Sequence, residues 1–233
     1  MPSPTAFMIA LDLFMVAYTY WLFARAGVPR MVRTGVAAAL VLLLVPLYLL
    51  FSPAGVMPTV MGGPLFLLIV VVYVGVVGGV MLGVLAIRRA LLSLEQEVLL
   101  LPQGIRVFFG AGFLMQAATG ILPTTFGILD GFTHIGAGFL GLLAASIVVA
   151  RPEKTAVVWL ANVFGLADIL VVASTLALVL LPIITPRHSM MFAVFLPAPI
   201  WAWLHVLSIA KLVRRRSNPS AWPAGSLHAP GSN

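Results

Sequence analysis

A bundle of seven transmembrane α-helices is the fold class this sequence predicts, and three observations lead there. The 233 residues are 62% hydrophobic and only 8% charged. The mean hydropathy is +1.15. The apolar residues fall in long runs separated by short polar or basic segments. So little polar surface cannot cover a soluble globule of this size. The runs lack the period-two alternation of membrane barrel strands, so helices, which satisfy their own backbone hydrogen bonds, are the expected spanning structure.

Crossing a hydrocarbon core of roughly 30 Å takes about 20 helical residues. The runs extend from Ala6 to Ala24, Gly35 to Ser52, Pro64 to Ile87, Val107 to Leu122, Ile128 to Ala150, Ala156 to Ile184 and Met190 to Leu212. The first has no basic n-region ahead of it and contains Asp12, so it reads as a span rather than a cleaved signal peptide.

Arginine and lysine in the connections set the expected orientation. Arg25, Arg30 and Arg33 follow span one; Arg88, Arg89 and Arg106 follow span three; Arg151 and Lys154 follow span five; Lys211, Arg214, Arg215 and Arg216 follow span seven. The alternate connections hold only Arg187. An odd number of spans with the N-terminus outside and the C-terminus in the cytoplasm accounts for this bias. It also accounts for the net charge of +7, which shows no aromatic interleaving and so does not point to nucleic acid. The arginine-heavy, cysteine-free composition, rich in Ala, Gly, Val and Leu, suggests a bacterial cytoplasmic (inner) membrane.

Residues 1–213 form the expected membrane domain. Residues 214–233, rich in Pro, Ser and Gly, read as a disordered cytoplasmic tail in which His228 has no role. Ala90 to Leu101, with Glu95 and Glu97 among leucines, reads as a helical connector that extends span three or lies along the interface. No internal repeat stands out, which gives an inverted-repeat transporter little support.

Packing signals come from small residues and proline. Gly75, Gly79 and Gly83 form a small-xxx-small ridge on span three, suited to close packing within the monomer or to an interface with a second copy or a membrane partner. In span five His134, Gly138 and Ala145 share a face with Gly141 nearby, and span four offers Gly112, Gln116 and Gly120, a pattern that suits a polar pocket between spans four and five. Pro197 and Pro199 predict a kink in span seven. Trp201 and Trp203 lie too deep for an interfacial belt, so they pack in the bundle or face a cavity.

Chemistry rests on the few ionisable groups inside the spans. Of six acidic residues, Asp12, Asp130 and Asp168 fall within or at the end of a span, where a charge costs about 2.5–3.5 kcal/mol even on the insertion scale. Each is therefore expected to face the bundle interior. Asp130 and His134, four apart on one helical face, lie toward the outer side of span five. Asp168 lies near the middle of span six, with Asn162 and His205 toward the cytoplasm, giving a broken polar column.

Four readings fit that column. One is a proton or ion path through carboxylates and imidazoles, and one is a small-molecule pocket among Trp201, Trp203 and phenylalanines. A third is a haem or metal redox site, with Asp130 and His134 as metal candidates and with His134 and His205 too different in depth for bis-His haem. In the last, the polar groups only hold the bundle together. No cofactor is required by the sequence. The absence of cysteine removes thiol chemistry, Lys211 sits too near the end of span seven for a retinal lysine, and no hydrolase or zincin pattern occurs. No catalytic residue is assigned.

From about Leu122 to Ala210 the chain resembles an uncharacterised family of polytopic bacterial membrane proteins. The shared features are Gly-x-x-Asp opening a span (Gly127, Asp130), Asn-x-x-Gly-x-x-Asp in the next (Asn162, Gly165, Asp168), and a Pro-containing span ending in His-x-x-Ser (Pro197, His205, Ser208). The resemblance supports Asp130, Asn162, Asp168 and His205 as site residues without naming their role, and His134 lies outside its pattern. The expectation is a protein that binds or passes a small molecule, proton or cation, with a non-enzymatic accessory subunit as the alternative.

Overall fold

The computed structural model describes residues 4–52 and 54–217, and among these no strand occurs. Seven helical segments are long and apolar enough to cross a membrane, as a multi-pass membrane protein requires. The first three are α1 (Pro4–Arg25), α2 (Arg30–Phe51) and α3 (Gly63–Gly83), and α3 is followed by the short α4 (Leu85–Ser93). The fourth is composite, built from α5 (Gln96–Leu100), a 3-10 turn (Leu101–Ile105) and α6 (Arg106–Ala118). Then come α7 (Thr124–Ala150) and α8 (Thr155–Thr175), the latter continued by a π turn at Leu176–Leu180. The seventh is made of α9 (Met190–Phe195) and α10 (Pro197–Ser217). α10 runs on through residues 214–217, the start of the expected tail, which are therefore helical, and residues 218–233 lie outside the described residues.

Burial separates a centre from a periphery. The fourth and seventh spans are 67% and 78% buried within the protein, against 17% and 22% for the second and third. Their side chains explain this: α2 and α3 are almost wholly aliphatic and suit lipid, whereas the fourth and seventh carry the polar residues that lipid cannot solvate. Tight turns join neighbours where glycine supplies the left-handed backbone, at Gly27 after α1 and Gly120 after α6, both with φ +72°.

The proline expectation holds. The seventh span breaks at Leu196, and Pro197 and Pro199 fall in the first turn of α10, where their missing N–H groups have no intrahelical acceptor to lose. Both tryptophans are packed: Trp201 is fully buried, and Trp203 donates its Nε1–H to the Val74 carbonyl at 2.8 Å.

Two expectations need correction. Of the expected connector Ala90 to Leu101, only residues 90–95 precede the fourth span, the first four of them in α4, whereas Gln96 to Leu101 is that span's largely buried beginning. Arg106 is therefore not a loop charge but an interior residue, 0% exposed. Pro102, Gly104 and the charge itself interrupt the apolar run and disguise its continuity. The second correction concerns Gly75, Gly79 and Gly83, which are exposed with nothing near a would-be Cβ, so they mediate no packing within the chain. The close helix pair is instead α7 against the fourth span. A methyl at Gly131 would lie 3.0 Å from the Gly110 carbonyl oxygen, one at Gly138 2.9 Å from that of Gln103, and one at Gly141 3.3 Å from that of Leu100.

This assignment predicts opposite outcomes for one substitution at two glycines. Gly110→Ala would bring its methyl to 3.0 Å from the Ile135 amide nitrogen; backbone cannot yield cheaply, so a loss of about 1–3 kcal/mol is expected. Gly75→Ala adds a methyl in open space and should be neutral or stabilising by up to about 1 kcal/mol. Thermal unfolding of the detergent-solubilised variants measures both.

Candidate functional site

A guanidinium at the centre of the bundle organises the site. The 3-10 turn of the fourth span ends at Ile105, and α6 begins with Arg106 aimed at α8 and α10. Its Nη2 is ion-paired to Asp168 Oδ2. Its Nη1 donates to the Gly165 carbonyl at 3.2 Å and to Gln103 Oε1 at 3.3 Å, and lies 3.4 Å from His205 Nε2. The indole of Trp201 flanks it, with the guanidinium carbon 5.3 Å from the ring centroid. An arginine is tolerated at this depth because a carboxylate neutralises it and most of its donors are engaged.

On one side of this pair stands a triad drawn from two helices. His134 Nδ1, on α7, lies 3.1 Å from Asp130 Oδ1, one turn earlier, and 3.2 Å from Asp168 Oδ2, on α8. One N–H faces two carboxylates and points squarely at neither. Both Asp130 oxygens and Asp168 Oδ1 are buried without a hydrogen-bond donor. The imidazole is held edge-on by Phe113 and Trp201, at centroid distances of 5.5 and 6.3 Å. Asp130 and His134 form the polar wall of a cavity of ≈ 50 Å³ otherwise lined by apolar groups, including Phe113, Phe126, Ile169 and Trp201. A water needs about 10–15 Å³ of such space, whereas small-molecule sites run to roughly 300–1,000 Å³. The cavity accommodates a few waters and no organic ligand of ordinary size.

On the other side a hydrogen-bonded chain runs along α8 and α10. His205 Nδ1 lies 2.9 Å from Asn162 Oδ1. The Asn162 amide is oriented by donating to the Val158 carbonyl at 2.9 Å and to Ser208 Oγ at 2.6 Å. With Asn162 Oδ1 as acceptor and the Arg106 N–H as donor, His205 is the neutral Nδ1–H tautomer. Gln96 also donates to Ser208 Oγ and borders a second cavity of ≈ 230 Å³, lined by Glu95, Glu97 and Lys211. Gly165 makes the crossing of α8 and α10 close enough: a methyl there would collide with the His205 ring and approach Arg106 Nη1 to 3.3 Å.

Asp168, Asn162, His205, Asp130 and His134 thus converge in one network, whereas the other two expected residues stand apart. Asp12 is fully buried with neither oxygen hydrogen-bonded. Gln116 lies at the end of α6 and accepts from Ser189 Oγ at 3.4 Å. Arg106, Gln96 and Gln103 are the network residues that sequence reasoning missed.

Metal and haem can be weighed on this geometry. One donor atom each from Asp130, His134 and Asp168 lie within 4.8 Å of one another, and imidazole with carboxylates suits Zn, Mn or Fe. The Arg106 guanidinium opposes this, since it occupies the Asp168 oxygen nearest His134 and sets a fixed positive charge beside the ion. Neither nitrogen of His205 is free for haem, one facing Asn162 and the other Arg106.

Residues 57–213 match the family model described as a domain of unknown function (DUF8737). No curated protein and no solved structure matches the chain.

Proposed function

The chain belongs to the DUF8737 family, and we propose that it binds a proton at the Asp130–His134–Asp168 triad and passes it within the membrane. The observation that carries this reading is His134 Nδ1 set between two carboxylates at 3.1 and 3.2 Å, on the wall of a water-sized cavity. Two carboxylates and one guanidinium leave the cluster one positive charge short of neutrality, a deficit that a single proton closes. His134 Nε2 has no hydrogen bond to the protein among the described residues, so a cavity water can protonate it. The Nδ1 proton then passes to Asp130 or Asp168, and the imidazole returns to its neutral state. Arg106 closes the other side. A guanidinium does not give up its proton, and its charge repels one, so onward passage to His205 requires Arg106 to move.

The basic connections support an orientation with the N-terminus outside and the C-terminus in the cytoplasm. The triad then faces the outer side of a bacterial inner membrane and the Gln96 end faces the cytoplasm.

The test is proton flux into vesicles holding the purified protein and a trapped pH dye, driven by a potassium diffusion potential. Wild type should exceed protein-free vesicles. His134→Gln should lower flux on the order of a hundredfold or more, the scale for losing a positioned proton-transfer group. Glu153→Gln, in an exposed loop, should leave it unchanged. Equal flux in wild type, His134→Gln and empty vesicles would sink the proposal.

The exposed Gly75, Gly79 and Gly83 favour a second reading, an accessory subunit that meets a partner helix or a second copy through α3. Gly79→Leu would then break association, and His134→Gln would leave the complex and its activity intact.

A further inference from the structure

We infer that the apolar groove between α1, α2 and α3 holds an acyl chain of an anionic phospholipid, with the lipid phosphate on the arginines at the groove's end. α2 and α3 are consecutive in the chain yet share little contact: α2 lies chiefly on α1 and α9, and α3 chiefly on α10 and the π turn. The gap is a groove of ≈ 250 Å³ lined by Leu22, Phe23, Leu40, Val77, Met81 and Ile200, among others. The one hydroxyl in its lining, Thr19, donates to the Met15 carbonyl at 2.9 Å, so the lining offers a ligand no polar partner. Such a space takes a hydrocarbon chain from the surrounding bilayer.

Charge selects the headgroup. Arg33 sits one turn before Val36 and two before Leu40 on the α2 face that carries both groove residues, and Arg30 lies one turn nearer the helix N-terminus than Arg33. Arg25 lies two residues beyond Phe23, and Arg88 directly follows Ile87, also at the groove. None of these arginines forms an ion pair among the described residues. Arg33 is braced over the Tyr20 ring at 5.1 Å, and its Nε is buried without a hydrogen-bond partner. The N-terminus of the 22-residue α2 has no side-chain cap, leaving amide N–H groups that favour an anion at the same place. An apolar groove ending in arginines that form no ion pair among the described residues matches an anionic phospholipid and leaves a zwitterionic one with an unmatched choline or ethanolamine cation. The inference stands independently of the proton reading.

The full-length protein in neutral detergent, titrated by native mass spectrometry with phosphatidylglycerol or phosphatidylcholine of identical chains, tests this. Phosphatidylglycerol should bind preferentially. Arg30→Gln with Arg33→Gln should weaken it about thirtyfold, and Arg151→Gln should not. Ala39→Phe or Val76→Phe, which fill the groove and leave every charge in place, should also displace it; two fillers guard against one that misfolds. Equal retention of the two lipids, binding unaffected by either well-folded filler, or displacement by soluble glycerophosphate at the same concentration would overturn the inference.

Discussion

Asp168→Leu is expected to destabilise the folded protein by about 3–5 kcal/mol, because it leaves the fully buried Arg106 without its carboxylate. The loss should not be uniform among replacements. Asp168→Asn keeps an acceptor for the guanidinium and should cost less than Asp168→Leu, although it removes the charge. The decisive comparison is the double variant Arg106→Met with Asp168→Leu. Replacing a buried ion pair by apolar side chains is often neutral or stabilising, whereas breaking it by one partner is not. The double variant should therefore unfold at a higher temperature than either single one. The cycle over the four proteins isolates the pair's coupling, which two equal and additive losses would refute.

Trp201→Ala carries a comparable cost, about 3–5 kcal/mol for a large aromatic removed from a packed core. Trp201 is 0% exposed, meets Phe109 edge to face at 5.2 Å, flanks Arg106 and donates Nε1–H to the Pro102 carbonyl at 3.2 Å. That carbonyl belongs to the 3-10 turn of the fourth span, where regular helical pairing is interrupted. Trp201→Phe should retain most of the packing and lose only the hydrogen bond, at about 0.5–1.5 kcal/mol. Unfolding temperatures of the two variants check the ordering; equal losses would mean that the indole contributes no packing.

The seven spans were legible because the hydrophobic runs in a bilayer protein are nearly independent of tertiary context. The kink at Pro197 was legible for the same reason, since proline acts on its own helix. Asp130, Asn162, Asp168 and His205 stood out as polar residues in apolar surroundings, and the structure gathers them with His134. The resemblance motifs gain a physical sense: Gly165 lets His205 approach, Asn162 bridges His205 to Ser208, and Asp168 faces both Arg106 and His134.

Arg106 was not legible, because a lone arginine after Pro102 and Gly104 looks like the end of a loop. Its burial depends on a carboxylate supplied by α8, more than sixty residues later in the chain. The glycine pattern misled for a related reason. Spacing at intervals of four marks a face suited to close approach but not whether a helix occupies it, and α3 turns Gly75, Gly79 and Gly83 away from the bundle while Gly78 meets Trp203.

The central claim is that His134 takes a proton from the cavity side while His205 stays neutral. Nitrogen NMR of histidine-labelled protein, with resonances assigned through His134→Gln and His205→Gln, addresses it directly. Between about pH 5 and 10, a window that spans the usual imidazole range, the His134 Nε2 resonance should move between its unprotonated and protonated positions. His205 should keep the neutral Nδ1–H pattern throughout. A His134 ring unchanged across that window, or titration of His205 in its place, would contradict the account.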